Sequence, residues 1–181
     1  MGSTSKSVCL VMLFISLLAG CASGVKRADD PQKRSDYFSR GGKLSPDVSL
    51  TLSKDASAQL AENVKFNTDE LLAHIKKVMG ARQMLGESSE EELPTIQITI
   101  TDIRVRSNFS AVMWGALAGN DHIVGDVIAQ DNTGRQLQKF EVSASYALGG
   151  IRGGQEDTRM GWLYETFSEE LVNALTGTPN N

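Results

Sequence analysis

Alternating and helical spacings of apolar residues divide most of this chain into elements. Val48, Leu50 and Leu52 alternate with polar neighbours, the pattern of a half-buried strand. Ala58, Leu60 and Ala61 predict a short helix over 54–62. A longer helix starts at Asn67, a capping residue with Glu70 three positions on and Phe66 placed to staple onto Leu71. Its apolar stripe is Leu71, Leu72, Ile75, Val78 and Met79, with Lys76 and Lys77 facing outward and Gly86 as the stop. An acidic loop from Glu87 to Pro94 precedes a strand carrying Ile96, Ile98 and Ile100. Ile103 and Val105 fall on the opposite parity, so a bulge is expected near Thr101-Asp102. A strand over 122–130, the turn Asp131-Asn132-Thr133-Gly134, and a strand with Phe140, Val142, Ala144, Tyr146 and Leu148 on one face make an antiparallel hairpin. Asp157 or Thr158 caps a last helix whose inner face is Met160, Leu163, Tyr164, Phe167, Leu171 and Leu175, and Gly177 and Pro179 end it. The order implies an α+β fold: a small antiparallel sheet of about four strands packed with two main helices in a single domain.

The first 45 residues lack this periodicity apart from one apolar run. Lys6, the stretch from Val8 to Leu18 and the small residues Ala19 and Gly20 are the three parts of a secretory signal. The run is too short to span a bilayer, which takes about 20 residues. Leu18-Ala19-Gly20-Cys21 resembles the bacterial lipobox. That resemblance implies cleavage before Cys21, lipid on its thiol and three acyl chains in all. One chain binds only marginally, whereas several hold stably. Ala22, not Asp, follows the cysteine, which by resemblance to the sorting rule of enteric bacteria implies the outer membrane with the domain in the periplasm. The expected organisation is a lipoprotein signal peptide over 1–20, a lipidated flexible tether over 21–45, the α+β domain over 46–177 and a disordered tail over 178–181.

Charge and cysteine count narrow the picture further. The tether carries Lys26, Arg27, Lys33, Arg34, Arg40 and Lys43 against Asp29, Asp30 and Asp36, while from Pro46 onward 11 basic residues face 19 acidic ones. A basic tether beside an acidic domain suits a chain leaving an anionic membrane surface, unless its charge is incidental to a solvated linker. Its aromatics, Tyr37 and Phe38, are candidates to dock on the domain or a partner. No basic patch with interleaved aromatics speaks for nucleic acid. Cys9 leaves with the signal and Cys21 is acylated, so no thiol remains for a disulfide or a thiolate metal site. Stability then rests on one hydrophobic core.

Strand directions place two glycine-rich loops at one end of the domain. The first, Phe109 to Asn120, is apolar for a surface connection and holds Met113, Trp114 and Leu117. It either folds back over the core or presents an apolar patch to a partner. The second, Ala147 to Asp157, holds Gly149, Gly150 and Arg152. Its amides, with Arg152 and Arg159, suit an anion, but it lacks the Gly-Lys-Ser/Thr ending of a phosphate loop, and Glu156 and Asp157 oppose one. A hinge or close-packed turn is the simpler reading. Catalysis has little support: His74 borders the apolar face of its helix, and His122 neighbours Asp121 and Asp126 without a second histidine or a nucleophile elbow. Neither a catalytic residue, a metal nor a cofactor is expected.

The stretch Ile98-Thr99-Ile100-Thr101-Asp102-Ile103-Arg104-Val105-Arg106-Ser107, the Gly115-Ala116-Leu117-Ala118-Gly119 loop and Phe140 to Gly150 resemble an uncharacterised bacterial lipoprotein family, domain of unknown function 4410. Gly153-Gly154-Gln155 and Arg159 to Tyr164 fit it too. The resemblance implies fold and location but no catalytic residues. More loosely, the plan resembles outer-membrane lipoproteins that activate peptidoglycan synthases, and small accessory lipoproteins of envelope machines. The expected function is a non-enzymatic, lipid-anchored periplasmic module. It binds an envelope protein through Met113, Trp114, Leu117, Gly149, Gly150 and Arg152. The alternative is a carrier or sensor of a small envelope ligand with the apolar loop as a pocket lid. Oligomeric state stays open.

Overall fold

The computed structural model describes residues 23–27, 36–62, 65–87, 92–107, 119–147 and 156–178. Five strands form one mixed sheet: β1 Gly24–Arg27, β2 Val48–Leu52, β3 Thr95–Arg104, β4 Asp121–Gln130 and β5 Gln136–Tyr146, in the order β1-β5-β4-β3-β2. Three helices accompany it: α1 Lys54–Glu62, α2 Thr68–Ala81 and α3 Glu156–Thr176. The single α+β domain thus has one strand more than the expected plan of about four, and its helices are the two main ones with the short one expected over 54–62. One pairing also differs in sense. β2 and β3 are parallel, with Val48 opposite Ile96, because α1 and α2 carry the chain back along the sheet between them.

Isoleucine alternation gives β3 its inward face, and Ile96, Ile98 and Ile100 are all buried. The register against β4 shifts between Ile100 and Asp102, which returns Ile103 to the core opposite Ile123. That is the bulge the parity switch demanded. The inner stripe of α3, Met160, Leu163, Tyr164, Phe167, Leu171 and Leu175, is buried as its spacing required. α3 runs antiparallel to β5, from Arg159 at one end to Leu175, whose carbonyl accepts from Gln138 Nε2 at 3.1 Å.

The segment read as a flexible tether belongs to the domain wherever it is described. β1 pairs with β5, with Gly24 opposite Ser143 and Arg27 opposite Phe140. The Arg27 guanidinium lies 5.2 Å from the Phe140 ring centroid and also donates to the Ala174 carbonyl. Phe38 and Leu44 are buried core residues. Leu44 bridges to Leu85, donating to Met84 O at 2.7 Å and accepting from Gly86 N at 2.9 Å.

Gly86 is therefore not a helix stop; α2 ends at Ala81. Gln83 takes a φ of 54°, and its N–H and that of Met84 return to Gly80 O and Met79 O. Buried Met79 and Met84 supply the apolar contact that accompanies such a left-handed cap. α3 closes in the same way, with Gly177 at φ 73° and Thr178 N donating to Asn173 O. Glycine there avoids a Cβ clash that glutamine must bear. Gln83→Gly is expected to raise stability by about 1 kcal/mol, read as a higher urea midpoint at constant m-value.

The start of α2 follows its sequence signal on one side only. Asn67 Oδ1 accepts from Asp69 N at 2.9 Å and Glu70 N at 3.2 Å. The other half of the expected box is supplied from α3: Asn67 N donates to the Tyr164 hydroxyl at 2.8 Å, and Phe66 meets that ring edge to face. Burial pushes the Tyr164 phenol up to about 12.

Candidate functional site

Four chain segments meet at the end of the sheet where β3 and β5 finish and β4 begins. They are tied by one buried ionic knot. Asp121, at the head of β4, has no exposed surface. Its Oδ2 accepts from Arg106 Nη2 at 3.2 Å and from Arg159 Nη1 at 2.8 Å. Its Oδ1 accepts from Arg106 N at 2.6 Å and Arg159 Nη1 at 3.1 Å. Both arginines are buried as well.

Two guanidinium charges thus face one carboxylate in a region that water does not reach. Carbonyl dipoles spread the surplus. Arg106 Nη1 donates to Gly119 O at 2.8 Å and Ala147 O at 3.4 Å, and Nη2 donates to Tyr146 O at 3.1 Å. Arg159 Nη2 donates to Arg106 O at 3.1 Å. Each strand end would otherwise leave backbone acceptors unpaired in the interior, so the arginines satisfy chain and charge together.

The knot gathers the stems of both glycine-rich loops. Arg106 and Gly119 flank the first, and Ala147 and Arg159 flank the second. This agrees with the strand-direction argument that both loops leave from one end. The residues singled out in them, Met113, Trp114, Leu117, Gly149, Gly150 and Arg152, lie outside the described residues, as does Cys21. Arg159 corrects one expectation: its anion is Asp121 of the same chain.

His122 has a partner other than Asp121 or Asp126. Alternation along β4 sends Asp121 into the core and His122 to the outer face, where Nε2 meets Asp102 Oδ2 at 2.8 Å. Gln59 on α1 donates to Asp102 Oδ1 at 2.7 Å and accepts from Ile103 N at 2.8 Å. Partial burial of the Asp102 carboxyl works against its ionisation, but the hydrogen bonds from His122 and Gln59 and the His122 charge hold its pKa below the usual carboxylate value. The Gln59–Asp102–His122 chain braces the bulge. Among the described residues no group of three His, Cys, Asp or Glu side chains stands close enough to hold a metal ion.

His74 lies at the rim of a cleft between α2 and α3. Its Nδ1 is 2.9 Å from Glu70 O, and its ring tilts against Tyr164. The open cleft has a volume near 530 Å³ and is lined by Lys65, Asn67, Glu70, Asp157, Met160 and Gly161 besides His74 and Tyr164.

Two features escaped sequence reasoning. Asp121 heads a run, Ile123, Val127 and Ala129, whose parity is buried. A carboxylate on a core-facing parity was the available sign of a buried cation. Trp162 lies on the outer side of α3 with 56% of its surface exposed. Helical spacing carried that sign, because the position falls between inner-face Met160 and Leu163.

Comparison with known proteins adds three findings. The family described as Domain of unknown function (DUF4410) matches residues 29–150. No curated protein matches. Among solved structures, a PelC dodecamer from Paraburkholderia phytofirmans is similar at 8% identity, with 81% of this chain and 95% of that chain covered and a TM-score of 0.39. That likeness is too slight to carry an argument.

Proposed function

The chain belongs to the DUF4410 family, a domain of unknown function, and on that premise we propose that it is a non-enzymatic periplasmic lipoprotein, held to the bacterial outer membrane by lipid on Cys21. It binds an envelope protein, in assembly or maintenance of the envelope, through the end that carries its two glycine-rich loops. One observation carries the reading: the Arg106–Asp121–Arg159 knot fixes the stems of both loops to each other. Stems held to each other on a rigid base bring the two segments they flank to one end of the domain. No helix among the described residues is long and apolar enough to cross a membrane.

The test has two parts. Cys21→Ser removes the thiol that takes the diacylglyceryl group, and this variant is expected to leave the membrane pellet for the soluble fraction. A photo-crosslinker at exposed Ser107, beside the first loop stem, is expected to capture one discrete envelope protein in intact cells, whereas the same group at Asn132 captures none. Capture of nothing from Ser107 at normal abundance sinks the protein-partner reading. The cleft between α2 and α3 supports the second reading, a small envelope ligand. It predicts that Tyr164 and His74 resonances shift on titration with an envelope extract.

A further inference from the structure

We propose that this domain stands directly on the phospholipid bilayer, with the end that bears the ionic knot turned toward the headgroups, so that a protein met at that end is one seated in the same membrane. The inference rests on the acylation of Cys21 proposed above. It begins with the sense of β1. That strand is antiparallel to β5, so toward its N-terminus the chain heads the way β5 heads toward its C-terminus. Ser23 is already fixed to the sheet. Its Oγ accepts from Ser145 N at 3.0 Å, and Ser143 Oγ donates to Gly24 O at 3.2 Å.

Cys21 comes two residues before Ser23, and two residues reach no further than about 7 Å. Ser145 stands opposite His122, the neighbour of Asp121, and next to Tyr146, whose carbonyl the knot holds. Lipid on Cys21 therefore enters the membrane beside the knot and the loop stems. The turn at Asp131–Gly134 lies at the other end of the sheet, about 30 Å away at about 3.3 Å per residue.

A second observation points the same way. Trp162 is the exposed large hydrophobic side chain among the described residues. It sits one turn along α3 from Arg159, which the knot fastens to Asp121, so it belongs to the same end of the molecule. Indole is favoured at the lipid–water boundary because its ring is apolar and its N–H stays hydrated. Covering it with headgroups and acyl ends gives this residue a medium that fits its chemistry.

Because the mature chain holds no other cysteine than Cys21, single labels are simple to place. Acylated Ser107→Cys and Asn132→Cys proteins, each carrying a bimane, are reconstituted into phosphatidylethanolamine–phosphatidylglycerol vesicles containing a headgroup nitroxide lipid. Quenching at position 107 is expected to exceed that at 132 at least threefold. Emission from Trp162, read in a Trp114→Phe background, is expected to shift to the blue on reconstitution. A spacer of twenty Gly-Ser residues inserted before Ser23 is expected to bring quenching at 107 down to the level at 132. Equal weak quenching at both positions in protein that floats with the vesicles overturns the proposal and leaves the lipid anchor standing. Acylated protein that fails to float, or Cys21→Ser protein that floats as well as the parent, overturns the anchor reading and the proposal with it.

Discussion

Asp121→Asn is expected to lower the stability of the domain by about 3–5 kcal/mol, the cost of breaking a buried ion pair from one side. Asn keeps the shape of the carboxylate but removes its charge, so the buried guanidinium groups of Arg106 and Arg159 face only dipoles. An amide nitrogen in place of one carboxylate oxygen also brings a donor toward donors. Urea denaturation followed by circular dichroism measures the effect, and a change under 1 kcal/mol would show that the carbonyls alone hold the arginines. The complementary experiment replaces all three together, Arg106→Met, Asp121→Leu and Arg159→Met. Much of the lost stability is expected to return, since apolar replacements of a whole buried cluster are often neutral or better. Crosslinking from Ser107 is expected not to return with it, because methionine cannot hold the carbonyls of Gly119, Tyr146 and Ala147. That split separates what the knot does for the fold from what it does for the loops.

Phe167→Ala is expected to cost about 3–5 kcal/mol, as for other buried aromatic truncations. The ring is wholly buried in the layer between α3 and the sheet. It lies over Gly125 of β4, where an added Cβ would come within 3.1 Å of Phe167 Cζ and 3.1 Å of Ile100 Cδ1. Val142 of β5 is the partner opposite Gly125. Glycine in mid-strand gives up packing of its own, and the phenyl ring takes that space. Gly125→Val in the native background is expected to destabilise by about 1–3 kcal/mol through overpacking. Combined with Phe167→Ala, it is expected to cost clearly less than the two single effects together, because valine occupies part of the cavity. Additive losses would place the ring elsewhere.

Where structure is set by neighbours in sequence, this chain reads well. The Asn67 cap, the bulge between Ile100 and Asp102 and the inner stripe of α3 follow from spacings of a few residues. What remained hidden depends on distant partners. β1 has one apolar residue, Val25, in a charged stretch, and it is a strand because the edge of β5 accepts it. The sense of β2 depends on where two helices deliver the chain. Tyr164, far along the sequence from Asn67, completes a cap that Glu70 was placed to complete. At the candidate site the topology was readable and the chemistry was not. Strand directions bring the loops together, whereas the Arg106–Asp121–Arg159 knot joins residues 15 and 38 positions apart.

The two halves of the β1–β5 pairing are also separated in time. Ser143 and Gly24 are 119 residues apart, the first near the end of the chain and the second near its start. In a chain delivered N-terminus first, Gly24–Arg27 emerges early and must wait for β5 before it has anything to pair with. Until then the outer edge of β5 is an open template for a foreign strand, a hazard that the protein's own N-terminus removes when it closes. Lys26, highly exposed and paired with Glu141 at 3.0 Å, then leaves a charge on the new edge. With lipid on Cys21, as proposed, the edge strand of the sheet would begin two intervening residues from the membrane anchor, so closing that edge and tethering the domain would fall to one short segment.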